Sequence, residues 1–259
     1  MKTLELAIPV LHASEVPAVT ATQMADVDRS AIEDYGVTIL QMMEQAGSHL
    51  AEVVRLEAGG DLRDRRIVVA VGPGNNGGGG LVAARHLTNR GAIVRVVLAR
   101  PALRMTEAAR HQLATLIAMG AECCVATYDL SDDELEDVLA KADIVVDAIL
   151  GYRIHDAPCG EAERLIGFLM RAARPIVSLD LPSGLDPDTG AAAGIAITAQ
   201  ATLTLALPKP GLLTSTGAAR VGRLYLADIG LPSALYTSLG IDVGRPFSVG
   251  RIVRLESAA

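Results

Sequence analysis

Arg66-Ile67-Val68-Val69-Ala70-Val71 runs into Gly72-Pro73-Gly74-Asn75-Asn76-Gly77-Gly78-Gly79-Gly80, and Leu81-Val82-Ala83-Ala84-Arg85-His86-Leu87 follows. The first segment is apolar without alternation from Ile67 onward, the mark of a strand covered on both faces in a parallel sheet. Six glycines and two asparagines then make a turn far richer in positive-φ residues than a simple reversal needs. The spacing of Leu81, Ala84 and Leu87 predicts a helix over about 81–90.

The same strand-break-helix rhythm continues downstream. Ile93–Leu98, Glu122–Ala126, Ile144–Ala148 and Pro175–Leu179 read as further strands, with helical patterns at about 105–119, 132–140 and 160–173. Ala201–Ala206 and Arg223–Ala227 are two later apolar runs that extend the sheet or form its edge. Upstream, Thr20 opens a helix carrying Met24, Val27, Ala31 and Ile32, which Gly36 ends. A second helix from about Thr38 puts Leu40, Met43, Ala46, Leu50 and Val53 on one stripe before Gly59-Gly60 breaks it. Alternation of this kind predicts an α/β fold, a Rossmann-like three-layer αβα sandwich with a mostly parallel sheet. No internal repeat or long linker divides the chain, so one domain is expected, its core over about 19–240 with extensions at 1–14 and 244–259.

Composition narrows the partners. Of 259 residues half are hydrophobic and 20% charged, enough for a large core and incompatible with disorder of the whole chain. Thirty acidic against 23 basic residues give a net charge of −7, a sign that repels phosphate backbones and anionic membranes. With no Trp and only seven Phe and Tyr, a stacking platform for single strands is absent too, so no nucleic-acid partner is expected. Cys123, Cys124 and Cys159 cannot build a disulfide framework, and the five histidines show no zinc-ligand spacing. His49, His86 and His111 fall in helical patterns, and Cys123 and Cys124 in a strand. Residues 1–12 make a poor signal peptide and no run of apolar residues spans a membrane, which points to a cytoplasmic protein.

In sheets of this type the ligand crevice lies outside the carboxyl ends of the strands. Three polar or glycine-rich loops follow strands here: 72–80, Asp147-Ala148-Ile149-Leu150-Gly151-Tyr152, and Asp180-Leu181-Pro182-Ser183-Gly184-Leu185-Asp186. Gly72-x-Gly74-x-x-Gly77 has the context of a dinucleotide loop, but Ala99-Arg100 ends the next strand without the ribose-binding carboxylate, which disfavours an ordinary dehydrogenase. Asn76, Asp147 and Ser183, at three strand ends, offer oxygen ligands for an alkali or alkaline-earth ion. Asp147 alone reads equally as a helix N-cap. Asp180 is the acid/base candidate, ending an apolar strand before a rigid Pro182–Gly184 turn; its other reading is a turn-forming Asp bonded to its own backbone. His155-Asp156 is either a proton-shuttling pair or solvated loop, and Lys209 either meets an anion or covers surface with its stem.

Together these motifs resemble the YjeF N-terminal domain family, the NAD(P)H-hydrate epimerases. The resemblance rests on Gly72–Gly78 with Leu81–Leu87, on Val146-Asp147-Ala148, on Leu179–Asp186 and on Pro208-Lys209-Pro210-Gly211-Leu212. Met42-Met43-Glu44-Gln45-Ala46-Gly47 adds an early segment, and order and spacing hold from about Val19 to Pro232.

The resemblance implies a Rossmann-like homodimer that interconverts the R and S forms of hydrated NADH and NADPH (NADHX and NADPHX), with a separate dehydratase repairing the S form. Carried over residue by residue, Asn75, Asn76, Gly77, Gly78 and Gly79 line the substrate, as do Gly151, Tyr152, Arg153, Ile154, His155, Asp156 and Ala157. Asp180 contacts the substrate and moves the proton, and Asn76, Asp147 and Ser183 hold a potassium ion. Three positions depart from the family pattern: Gly79 stands where an Asp is usual, Gly151-Tyr152-Arg153-Ile154 replaces a Gly-Thr-Gly-Leu-type stretch, and Gln45 replaces an Asn. Losing a carboxylate and gaining Arg153 leaves a second reading, a catalytically inactive or re-specialised nucleotide-binding or scaffold protein of the same fold.

Overall fold

The computed structural model describes residues 8–153 and 156–256. Its strands are β1 Val10–His12, β2 Arg66–Val71, β3 Ile93–Leu98, β4 Glu122–Val125, β5 Ile144–Ala148, β6 Ile176–Leu179, β7 Ala201–Leu205, β8 Arg223–Ala227 and β9 Ile252–Glu256. They form one sheet in the order β1-β9-β8-β7-β6-β5-β2-β3-β4. Neighbours run parallel throughout except β8 and β9, which are antiparallel. The α-helices are α1 Ala21–Glu33, α2 Ile39–Glu57, α3 Asn75–Asn89, α4 Glu107–Ala118, α5 Asp132–Ala140, α6 Gly160–Arg171, α7 Pro210–Leu213, α8 Ser215–Val221 and α9 Ser233–Ser238.

The α/β three-layer arrangement follows from how β2 uses its side chains. Ile67, Val69 and Val71 pack with Leu50, Leu81 and Leu113 from α2, α3 and α4. Val68 and Ala70 point the other way, into a cluster with Leu135, Leu139, Leu165 and Leu169 from α5 and α6. Burial on both faces is why this strand shows no polar alternation. A third cluster joins α1 and α9 to the sheet beyond β7 through Met24, Val27, Leu226 and Leu235. Capping boxes start three of the described α-helices: Thr20 with Gln23, Thr38 with Gln41 and Ser131 with Glu134. Each satisfies two otherwise orphaned backbone groups.

Several boundaries differ from the expectations. α3 begins at Asn75, so Gly77–Gly80 are helical rather than part of the turn. Each glycine costs a helix about 0.5–1 kcal/mol relative to Ala, which is why local propensity reads the run as loop. Tertiary packing overrides it, because α2 lies directly on this face: a Cβ at Gly47 would sit 2.5 Å from the Gly79 carbonyl oxygen and 2.4 Å from Val82 Cβ. Ile32 and Leu40, placed on buried stripes, are 40% and 39% exposed; Met42 and Val54 take up the apolar face of α2 instead. The stretches 1–14 and 244–259 each supply a strand, β1 and β9, which pair in parallel at the sheet edge. Helices α7, α8 and α9 are too short for periodicity to reveal them. No helix among the described residues is long and apolar enough to cross a membrane.

Candidate active site at the switch point

The chain leaves β2 toward β3 and β4 on one side, then returns to lay β5 against the other side of β2. Loops leaving β2 and β5 therefore diverge, and the opening between them is where a ligand enters such a sheet. The two loops touch at their base. Gly72 N–H donates to the Ala148 carbonyl at 3.0 Å, and a Cβ on Gly72 would lie 1.8 Å from the Ile149 carbonyl oxygen, so no other residue fits. Above this contact is a cavity of about 460 Å³, within the range of small-molecule sites.

Asp180 forms one wall, directly after β6. Its φ of +70° is a left-handed conformation that costs a non-glycine residue energy. The position is held from three sides. Its backbone N–H donates to Leu203 O at 2.7 Å, Oδ2 accepts from the Tyr152 N–H at 2.9 Å, and Oδ1 accepts from Lys209 Nζ at 2.6 Å. Lys209 is 1% exposed and also donates to Leu205 O at 3.2 Å. It is thus the buried partner of Asp180 rather than a surface cover. Its ammonium stands 5.7 Å from the centre of the Tyr152 ring.

Asn76, Asp147 and Ser183 come together one layer below. Asn76 Nδ2 donates to Leu150 O at 3.0 Å, and Leu150 N–H donates to Ser183 Oγ at 2.9 Å. Ser183 Oγ in turn donates to Asp147 Oδ1 at 2.6 Å. Asp147 is fully buried, and Ser183 N–H and Ser178 Oγ donate to its Oδ2 at 2.9 and 2.8 Å. Burial pushes its carboxyl above the usual range, and these donors oppose the shift only in part. No Lys or Arg pairs with it among the described residues. An amide oxygen, a hydroxyl and an uncompensated buried carboxylate suit a hard cation.

The remaining expected residues divide. Asn75 lines the cavity, its Oδ1 accepting from Thr106 Oγ1 at 3.0 Å, and Gly79, Gly151, Tyr152 and Arg153 line it too. Gly77 and Gly78 do not, because they serve packing: their Cβ positions would strike the Gly72 carbonyl at 2.0 Å and Met43 Sδ at 2.6 Å. Asp156 and Ala157 are exposed and outside the lining. Ile154 and His155 lie outside the described residues. At Gly79 a Cβ would meet only Leu179 Cδ2, but at 2.7 Å, so a side chain there requires that buried leucine to shift.

Comparisons with known proteins identify the family and the fold. The family described as YjeF-related protein N-terminus matches residues 39–211. The chain belongs to this family. A relative from Dehalogenimonas lykanthroporepellens, named NAD(P)H-hydrate epimerase, is 39% identical over 94% of each chain. Another from Limosilactobacillus fermentum bears the same name at 35% identity, over 82% of this chain and 96% of its own. A bifunctional NAD(P)H-hydrate repair enzyme of Moorella thermoacetica is 42% identical over 84% of this chain, which spans only 41% of that protein. The crystal structure of the yeast protein ynu0 superposes with a TM-score of 0.79 at 24% identity, covering 93% of this chain and all of that one. It shares the fold.

One lining residue of this YjeF-related domain escaped the sequence reading. Asp28, on α1, accepts from the Tyr152 hydroxyl at 2.6 Å, and Arg153 Nη2 lies 3.5 Å from the same oxygen. Burial pushes the Asp28 carboxyl up; the Tyr152 bond and the Arg153 and Lys209 charges pull it back without cancelling the shift. The signal was available, since Asp28 stands four residues after Met24 on the edge of a buried stripe, where a carboxylate has no packing reason to be.

Proposed function

We propose that this protein interconverts the R and S forms of hydrated NADH and NADPH. The observation that carries the reading is Asp180, held between Lys209 Nζ and the Tyr152 N–H at the wall of a switch-point cavity. Close relatives in sequence bear the name NAD(P)H-hydrate epimerase across nearly the whole chain. C6 of the hydrated ring carries a hydroxyl beside the ring nitrogen. A base that removes the hydroxyl proton lets the C6–N1 bond open to an aldehyde, and reclosure on either face gives either epimer. Asp180 takes and returns that proton, with Lys209 fixing the carboxylate in place.

The donor chemistry of Asn76, Asp147 and Ser183 fits a potassium ion, which would supply fixed positive charge beneath the loop bearing Gly151 and Tyr152. The further expectations stand with this reading: a homodimer, and a separately encoded or fused dehydratase that consumes the S form. The test mixes purified protein with an S-specific dehydratase and hydrated NADH enriched in the R form, following NADH by absorbance. Wild-type protein should speed repair of the R fraction over its spontaneous rate, and Asp180→Asn should not. Tight NADP binding without acceleration would favour the second reading, a nucleotide-binding protein whose turnover was lost with the carboxylate at Gly79.

A further inference from the structure

From the hydrogen bonds around its hydroxyl, we infer that Tyr152 is a second catalytic group of this site, the acid that meets the ring nitrogen, and that Asp28 is the positioning residue that aims it. The inference rests on the epimerase reading above. Opening the hydrated ring needs a proton at N1 as well as a base at the C6 hydroxyl, and Asp180 can serve only one of these at a time.

Tyr152 lines the same cavity as Asp180, whose carboxylate its backbone N–H already binds, and its hydroxyl meets Asp28, another lining residue. Arg153 Nε donates to its oxygen at 3.0 Å, and Asp28 Oδ2 lies 2.6 Å away. What the phenol proton does depends on Asp28. An ionised Asp28 accepts that proton and leaves nothing for a ligand. A neutral Asp28 donates its own O–H to Tyr152 Oη; with Arg153 donating as well, both lone pairs are filled and the phenol proton turns toward the cavity. Burial favours the neutral form of Asp28, and Asp180 adds to it. The charged and titratable groups facing Asp28 are Tyr152, Arg153, Lys209 and Asp180, together with Tyr236 of α9. Burial and the negative charge of Asp28 both push the Tyr152 phenol up, so neutralising Asp28 also makes the phenol a better acid.

The step balances. The Asp180 carboxylate takes the C6 hydroxyl proton, the C6–O bond becomes a carbonyl and the C6–N1 bond breaks. Its electron pair stays on N1, which takes the Tyr152 proton. Arg153 and Asp28 then stabilise the phenolate by their two hydrogen bonds. Rotation about C5–C6 presents the other aldehyde face. N1 attacks, its proton returns to Tyr152, and the Asp180 proton returns to oxygen.

The experiment measures epimerisation as a function of pH in wild-type protein, Tyr152→Phe, Asp28→Asn and Asp28→Ala, with thermal melts to confirm folding. Tyr152→Phe should lower kcat at least ~100-fold with KM within about a factor of three, since only the proton-transfer interaction is removed. Wild-type activity should fall as pH rises through the Asp28 titration. Asp28→Asn keeps a donor toward Tyr152 that cannot titrate, so it should remain active and lose that fall, whereas Asp28→Ala should be slow at every pH. Wild-type turnover matched by Tyr152→Phe would overturn the inference and leave the epimerase reading intact. A wild-type pH profile retained in Asp28→Asn would do the same for the role of Asp28. Absence of turnover in wild-type protein would remove both.

Discussion

Lys209→Met removes one charge of a buried pair, since Lys209 is 1% and Asp180 3% exposed. Met keeps the length and most of the volume of the stem, so the cavity term is small. What is lost is the bond to Asp180 Oδ1 at 2.6 Å and the longer bonds to Leu205 O and Thr204 Oγ1. Stranding one member of a buried pair costs about 3–5 kcal/mol. For a chain of this size each kcal/mol moves the melting point by about 2 °C, so the expected fall is roughly 6–10 °C. The companion change is Asp180→Asn, because Asn tolerates the left-handed backbone at +70° while removing the charge. With both changes no unpaired charge remains, and the double variant should recover about 2–3 kcal/mol of what the single changes predict when added. Urea denaturation of the four proteins closes the cycle. A Lys209→Met loss under ~1 kcal/mol, typical of exposed pairs, or strict additivity in the double variant, would refute the claim that this pair is buried and coupled.

Gly72→Ala should destabilise the fold by more than about 3 kcal/mol in urea denaturation, since its methyl would overlap the Ile149 carbonyl at 1.8 Å. Gly74→Ala, with nothing within 4 Å, should stay within about 0.5 kcal/mol of the parent. Replacing choline chloride by potassium chloride at equal ionic strength should raise the melting temperature of the parent, and Asp147→Asn should abolish the rise; equal melts in both salts would remove the ion from the site. Glu57 gives the acid limb of stability. Burial raises its carboxyl, but bonds from Arg223, Gln200 and Tyr225 outweigh that and hold it below the usual range. Its contribution is therefore present above the ordinary carboxylate range and lost as pH falls through the lowered value. Glu57→Gln should flatten that part of a stability–pH curve, and an unchanged slope would assign it to other carboxylates.

The sheet was legible wherever burial on two faces leaves a continuous apolar run, as in Ile67–Val71 and Ile144–Ala148. Its edge was not. β1 is three residues long and β9 follows a loop, and neither carries enough sequence to show a period. The glycine run misled for a different reason: the cost of Gly77–Gly80 in a helix is local, while the close approach of α2 that offsets it comes from Gly47, far away in sequence. At the site, Asn76, Asp147, Asp180 and Ser183 were visible because each lies at or just beyond the end of a strand, and strand ends share an edge. Lys209 and Asp28 were not assigned partners because their contacts with Asp180 and Tyr152 join separate segments with no shared periodicity.

The parallel pairing of β1 with β9 also sets an order of events in biosynthesis. Val10–His12 leaves a ribosome long before Ile252–Glu256, its sheet neighbour among the described residues. The centre around β2 and β3 can assemble while the chain is still growing, because a single helix separates those strands. The earlier strand must wait with its sheet-facing backbone groups unpaired until the later one has been made, and closing so long a loop is entropically slow. Docking of this strand is thus a late step, and a nascent chain stalled before Ile252 should expose residues 8–15 to protease while the β2–β6 region is already protected.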